Sequence, residues 1–192
     1  MILYLHGFRS SPLSAKARLT ARAMAARGLE AELVCPQLPA SPKAAMALAL
    51  DLVAGADPAR LAVVGSSLGG YYAAWLAERL GCRAVLLNPA VTPLRDLDAH
   101  VGVGTAFHSD APFEFKREYI DELGELAVSA ITRPERYFLI AATGDEVLDH
   151  RDMLLHYAGA RRHVVDGGDH ALSNYPELVD EVLAFCLPDA RR

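Results

Sequence analysis

Cysteine is scarce in this chain of 192 residues: Cys35, Cys82 and Cys186 are the three present. The number is odd, each lies within or beside an apolar segment, and no spacing suits a disulfide framework or a metal site. They read as reduced thiols in a cytoplasmic protein. Long hydrophobic runs are missing as well; none approaches the roughly 18 apolar residues that a membrane-crossing helix needs. The opening run Met1-Ile-Leu-Tyr-Leu5 is cut short by His6 and Gly7, without a basic leader or an extended apolar stretch, so no signal peptide is expected. Basic blocks are also absent. Lys and Arg total 19 against 24 Asp and Glu, a net charge of −5, which argues against a nucleic-acid partner. Lys16, Arg18, Arg22 and Arg27 are interleaved with apolar residues and read as one solvated helix face. There is no Walker A sequence, no G-x-G-x-x-G after a strand, no H-E-x-x-H and no distinctive carboxylate pair. Neither cofactor nor metal is therefore expected.

What is present suits a single compact domain: 52% hydrophobic and 22% charged residues, enough to bury a core without staples. Ile2–Leu5 is a short unbroken apolar run, the pattern of a strand covered on both faces, and further strands are expected at Glu32–Cys35, Leu61–Val64, Ala84–Leu87, Tyr137–Ala141 and His163–Val165. Helical patterns fall between them, from Ser14 to Arg27, Pro42 to Ala54, Leu68 to Leu80, Asp149 to Ala158 and Tyr175 to Leu187. Ser14 is placed to cap the first, whose core face is expected to carry Leu19 and the alanines. This alternation predicts an α/β fold, a doubly wound and mainly parallel sheet of about six strands. Residues 92–134 break the alternation and are expected to form a small cap insertion over the strand ends. The aromatics in it either line an acyl pocket or fasten the cap to the body.

In such a sheet chemistry gathers at the carboxyl ends of the strands. There stands Leu61-Ala-Val-Val-Gly65-Ser-Ser-Leu-Gly69-Gly-Tyr-Tyr72, a G-x-S-x-G sequence between an apolar strand and a helix. The turn is so tight that its flanking residues must be nearly free of side chain, which explains Gly65 and Gly69. Ser67 is thereby held above the sheet edge. A serine hydroxyl is a weak nucleophile until a base takes its proton, so Ser67 calls for a histidine, an acid to orient that histidine, and two N–H donors for an oxyanion.

Of the seven histidines, only His6 and His170 stand in strand-end loops with glycine neighbours. His170, directly after the last strand, is the candidate general base. His6 reads as a brace for its own loop. His100, His108, His150, His156 and His163 read as surface or helix-face residues. After the fifth strand Asp145, Glu146 and Asp149 are the available acids. Asp145 is preferred, while Asp149 reads equally well as the N-cap of the following helix. Leu68, immediately after the nucleophile, and Phe8, after Gly7, are the candidate backbone donors. The order Ser67, Asp145, His170 is that of the α/β-hydrolases.

The chain resembles the YqiA/YcfP-like α/β-hydrolases, small bacterial esterases, and most of all their YqiA type. The likeness lies in Leu3-Tyr-Leu-His-Gly-Phe8, Ser10-Ser-Pro12, Ser14-Ala-Lys16, Pro36-Gln-Leu-Pro39, Val64-Gly-Ser-Ser-Leu-Gly-Gly-Tyr-Tyr-Ala73, Asn88-Pro-Ala-Val91, Thr143-Gly-Asp-Glu-Val-Leu-Asp149, Gly167-Gly168 and His170-Ala171. It implies an α/β-hydrolase fold trimmed at its N-terminus and esterase or acyl-thioesterase activity. A serine esterase acting on a small acyl ester is the expectation; an acyl-CoA thioesterase and a non-catalytic binding protein on the same fold are the alternatives.

Overall fold

The computed structural model describes residues 1–105, 107 and 112–187. In chain order the main elements are β1 (Ile2–Leu5), α1 (Ala15–Ala25), β2 (Leu33–Val34), α2 (Pro42–Leu52), β3 (Ala62–Ser66), α3 (Leu68–Leu80) and β4 (Arg83–Leu87). There follow α4 (Pro93–Leu97), β5 (Gly102–Thr105), β6 (Pro112–Phe115), α5 (Glu118–Glu125), β7 (Tyr137–Ala142), α6 (His150–His156), β8 (Arg161–Val165) and α7 (Tyr175–Cys186).

Six strands form one sheet in the order β2-β1-β3-β4-β7-β8, every neighbouring pair parallel. In the central strands β1, β3, β4 and β7 the apolar runs are unbroken because both faces are covered, whereas the edge strands β2 and β8 are partly exposed and β8 opens on Arg161 and Arg162. Leu3, Leu5, Val63, Leu86 and Leu139 pack toward α2, α3 and α6, whereas Ile2, Tyr4, Val64, Leu87 and Ile140 pack toward α1 and α7. Alternate residues along each strand thus belong to different cores, as a pleated strand requires. From β1 the chain builds outward to β2, then returns to place β3 on the other side of β1. The reversal opens a crevice at the carboxyl ends of β1 and β3, the position where such sheets receive ligands.

Helix starts follow local chemistry. Ser41 caps α2 by accepting the Ala44 N–H at 3.1 Å, with Pro42 in the first turn. Ser14 occupies the N-cap position of α1, but its side chain makes no capping bond. The inward face of α1 carries Ala17, Thr20 and Met24, with Leu19 only partly buried. Thr20, unexpected in that role, shares a buried 2.8 Å hydrogen bond with Tyr175 Oη.

The stretch between β4 and β7 holds α4, α5 and the antiparallel pair β5–β6. It is fastened by polar as well as apolar contacts. Tyr71 Oη donates to the Leu123 carbonyl at 2.7 Å, and Ser41 Oγ donates to Glu122 Oε2 at 2.6 Å. The Phe8 ring stands edge-on to Phe113 and Phe115, with centroids 5.3 and 5.0 Å away. Phe113 and Phe115 fasten this segment to the β1 loop, while Phe107 lines the cavity described next.

Candidate active site

At the end of β3 the backbone turns through Ser67 with φ 55° and ψ −121°, a conformation an L-residue rarely adopts. The glycines beside it are required by contact. A Cβ on Gly65 would lie 2.1 Å from the Gly69 carbonyl oxygen, and one on Gly69 would lie 2.1 Å from that of Leu5. The turn is held from the neighbouring strand as well: Ser67 N–H donates to the Leu87 carbonyl at 3.0 Å, and the Ala90 N–H donates to the Ser67 carbonyl at 3.0 Å.

His170 lies 103 residues further on, yet its Nε2 is 3.1 Å from Ser67 Oγ. On its other side Nδ1 is 2.8 Å from Asp145 Oδ2. With the carboxylate ionised, Nδ1 carries the proton and Nε2 accepts from the serine hydroxyl. The Asp145 side chain is fully buried and that of His170 is 21% exposed. Burial pushes the Asp145 carboxyl up, but hydrogen bonds from His170 and from the Leu148 and Val147 N–H groups outweigh it and hold the group below its ordinary value. Asp149 sits elsewhere: its carboxylate caps α6 by accepting the Arg151 N–H at 2.9 Å.

The loops carrying Asp145 and His170 touch backbone to backbone. Gly144 N–H donates to the Gly167 carbonyl at 2.7 Å, and a Cβ on Gly144 would lie 2.4 Å from the Gly168 oxygen. Two side chains that the sequence reading did not assign complete the attachment. Glu146 Oε2 accepts the His170 N–H at 2.9 Å. Asn88, 1% exposed at the end of β4, donates to the Asp169 and His170 carbonyls and accepts the Ala142 N–H. In the sequence Asn88-Pro89 follows the fourth strand and opens one of the blocks that carry the family resemblance, with no role attached to Asn88. The φ of 42° at Asn88, which asparagine tolerates better than most residues, comes from tertiary structure.

Gly7 packs on the serine, with a Cβ there falling 3.2 Å from Ser67 Cβ, and so brings Phe8 beside Ser67. Among the described residues, neither the Phe8 nor the Leu68 N–H is taken up by a backbone acceptor of the turns and loops. Leu68 opens α3, where the first N–H groups have no partner within the helix. His6 is 4% exposed and braces the loop, its Nε2 accepting the Leu38 N–H at 3.0 Å.

Ser67, Leu68, Phe8 and His170 line one cavity of about 510 Å³. Its wall is otherwise largely apolar and includes Leu97, Phe107, Val147 and Leu148. His100 also reaches it. His163 lies in β8, paired with Glu181 at 2.7 Å, and His156 stands edge-on to Tyr157. His150 lies 3.8 Å from Asp149. His108 lies outside the described residues.

Lys16 departs from expectation. Arg18, Arg22 and Arg27 are exposed, as a solvated face should be, but Lys16 is partly buried and lines the cavity. The spacing accounts for it: residues 16, 20 and 24 are four apart, so Lys16 extends the inward stripe of Thr20 and Met24.

A parallel sheet of this order, with a serine on a strained strand-to-helix turn at its switch point, defines the α/β-hydrolase fold. The chain belongs to the Uncharacterised protein family UPF0227, whose model matches residues 1–187, in agreement with the resemblance read from the motifs. Solved structures agree on the fold. A protein of Agrobacterium vitis S4, provisionally named a hydrolase, superposes with a TM-score of 0.75 at 18% identity, over 96% of this chain and 87% of its own. Est1E of Butyrivibrio proteoclasticus, solved with ferulic acid, matches with a TM-score of 0.73 at 12% identity, over 98% of this chain and 89% of its own. Mouse alpha/beta hydrolase domain-containing protein 10 matches with a TM-score of 0.68 at 16% identity, covering 98% and 87% respectively. At such identities the likeness speaks for fold alone. Among the described residues no helix is long and apolar enough to cross a membrane.

Proposed function

We propose that the protein is a serine hydrolase of carboxylic esters that works through an acyl-enzyme. The observation that carries this reading is the chain of two contacts from Asp145 through His170 to Ser67, ending in the cavity. In the reaction the Ser67 hydroxyl gives its proton to His170 Nε2 as its oxygen attacks the ester carbonyl carbon. Asp145 holds the imidazole in the accepting tautomer and stabilises the imidazolium that forms. The carbonyl oxygen, now negative, takes hydrogen bonds from the Phe8 and Leu68 N–H groups, helped by the positive end of α3. Collapse of the tetrahedral adduct breaks the bond to the alcohol, which leaves with the proton from His170. Water, deprotonated by His170, then attacks the acyl-serine, and Ser67 is regenerated.

Several features support the assignment. The strained Ser67 backbone is the kind of cost that persists at functional sites. Five separate attachments, from Gly144, Glu146, Asn88, Thr143 and Lys16, hold the two loops or fix the His170 segment. A protein that only bound a ligand would need neither His170 nor Asp145.

A fluorophosphonate probe should form an adduct on Ser67 in the parent and none in Ser67→Ala. Hydrolysis of p-nitrophenyl butyrate should fall by about 10³-fold or more in the variant. Equal rates in the two proteins would overturn the proposal.

A further inference from the structure

The cavity beside Ser67 has an uneven charge. Apart from histidines, the charged side chains lining it are Arg9 and Lys16, and no carboxylate is among its lining residues in the described part of the chain. This occurs in a protein whose net charge is −5.

The two cations differ in how they are engaged. Arg9 is committed to the segment above it: Nε donates to the Thr105 carbonyl at 2.6 Å, a second nitrogen reaches Thr105 Oγ1, and the guanidinium lies over the Phe107 ring. Lys16 Nζ donates to the Ala171 carbonyl at 2.5 Å. An ammonium has three N–H bonds, and the other two have no hydrogen-bond acceptor among the described residues. The nearest carboxylates are spoken for. Asp145 serves His170, Val147 and Leu148, and Asp169 accepts from the N–H and hydroxyl of Ser173. Burial outweighs the attraction of Asp169 and Asp145 and brings the Lys16 ammonium down to about 8. The group is still cationic at neutral pH and poorly solvated, so an arriving anion displaces little water from it. Because Ala171 adjoins His170, this cation stands beside the reacting centre.

We propose that Lys16 anchors an anionic group of the substrate, so that the esters taken by this cavity carry a carboxylate or phosphate in addition to the scissile acyl bond. The inference rests on the esterase reading for its site and specifies the substrate class. The anion can belong to the acyl part, as in a monoester of a dicarboxylic acid, or to the leaving group, as in a phosphorylated alcohol or carrier.

Two matched pairs distinguish these sources: monomethyl glutarate against methyl pentanoate, and 2-phosphoethyl butyrate against ethyl butyrate. In the parent at pH 7, kcat/KM should favour the charged member of one pair by about tenfold or more, equivalent to about 1.4 kcal/mol. In Lys16→Met that ratio should collapse toward one, and in Lys16→Arg most of it should return. The pair that responds identifies the side bearing the anion. Absence of a preference in both pairs, or a preference that survives Lys16→Met, would overturn the proposal, whatever happens to absolute rates. Calorimetric binding of the same compounds to Ser67→Ala reads the same ratio without turnover. Charge-selective binding lost in a Ser67→Ala/Lys16→Met double variant, with no hydrolysis by the parent, would support the anchor and defeat the esterase reading. Hydrolysis of all four esters without selectivity would do the reverse.

Discussion

The side-chain amide of Asn88 donates to the carbonyl of His170 at 3.2 Å and to that of Asp169 at 3.0 Å, tying the end of β4 to the loop that carries the imidazole. Its carbonyl oxygen takes the Ala142 N–H at 2.8 Å, so the same residue also holds the end of β7, just before Asp145. Asn88 bonds only to backbone groups here, so in the proposed reaction it is a positioning residue. In Asn88→Ala the two carbonyls and one buried N–H lose their partner, at a cost of about 2–3 kcal/mol. Asn88→Asp keeps the shape but turns the donor into an acceptor facing two carbonyls. Both variants should lower kcat for p-nitrophenyl butyrate while KM moves little. A stability loss with unchanged kcat would show a purely structural residue.

The two nearby aspartates should separate cleanly. Asp145→Asn removes the acceptor that keeps His170 in its productive tautomer, and kcat should fall by roughly 10²–10⁴. In Asp149→Asn the cap of α6 survives, since asparagine caps about as well as aspartate, and the rate should stay within about twofold. Steady-state kinetics on the two proteins decides the matter; a larger loss at position 149 would reverse the assignment.

Gly69→Ala tests the elbow itself. The added methyl would fall 2.1 Å from the Leu5 carbonyl oxygen and 2.8 Å from that of His6, both backbone atoms that cannot swing away. The end of β1 would have to shift, so denaturant unfolding should show a loss of about 3 kcal/mol or more. An unchanged midpoint would contradict the packing described for this turn.

Lys16→Met should stabilise the fold. Burial lowers the lysine to about 8 from an ordinary value of 10.5. Between those two pH values the unfolded chain binds more protons, so the parent gains stability as pH rises through the window. Below about 8 the full cost of the buried charge is present; above the unfolded value it is gone. The methionine variant has no such dependence. It should exceed the parent by about 1–3 kcal/mol at pH 7, less whatever the lost bond to Ala171 contributes, and the gap should close toward pH 10. Denaturation at the two pH values measures it; a variant less stable than the parent at pH 7 would refute the account.

Much of this protein is determined by short-range pattern. A strand buried on both faces must be apolar throughout, and a tight turn with an outward serine must have glycine beside it. The four central strands, the helix Leu68–Leu80 and the strand-end positions of Ser67, Asp145 and His170 are therefore legible along the chain. The choice of Asp145 over Asp149 is favoured by its place at a strand end, and the cap on α6 then accounts for the second aspartate.

Tertiary structure alone decided the rest, because it depends on which loops meet. Asn88 is one polar residue before a proline until β4 and β7 lie side by side, when its amide becomes the tie between two loops. Lys16 is one of four cations on a helix until α1 packs, when the four-residue step from Thr20 and Met24 turns it inward and leaves the arginines in solvent. Phe8, Phe113 and Phe115 are dispersed along the chain and become one edge-to-face cluster only when the segment after β4 folds over the β1 loop. Local sequence thus determines where Ser67 stands, on a tight turn at the end of a strand. The groups surrounding it come from distant segments, and their charge and shape are set by packing.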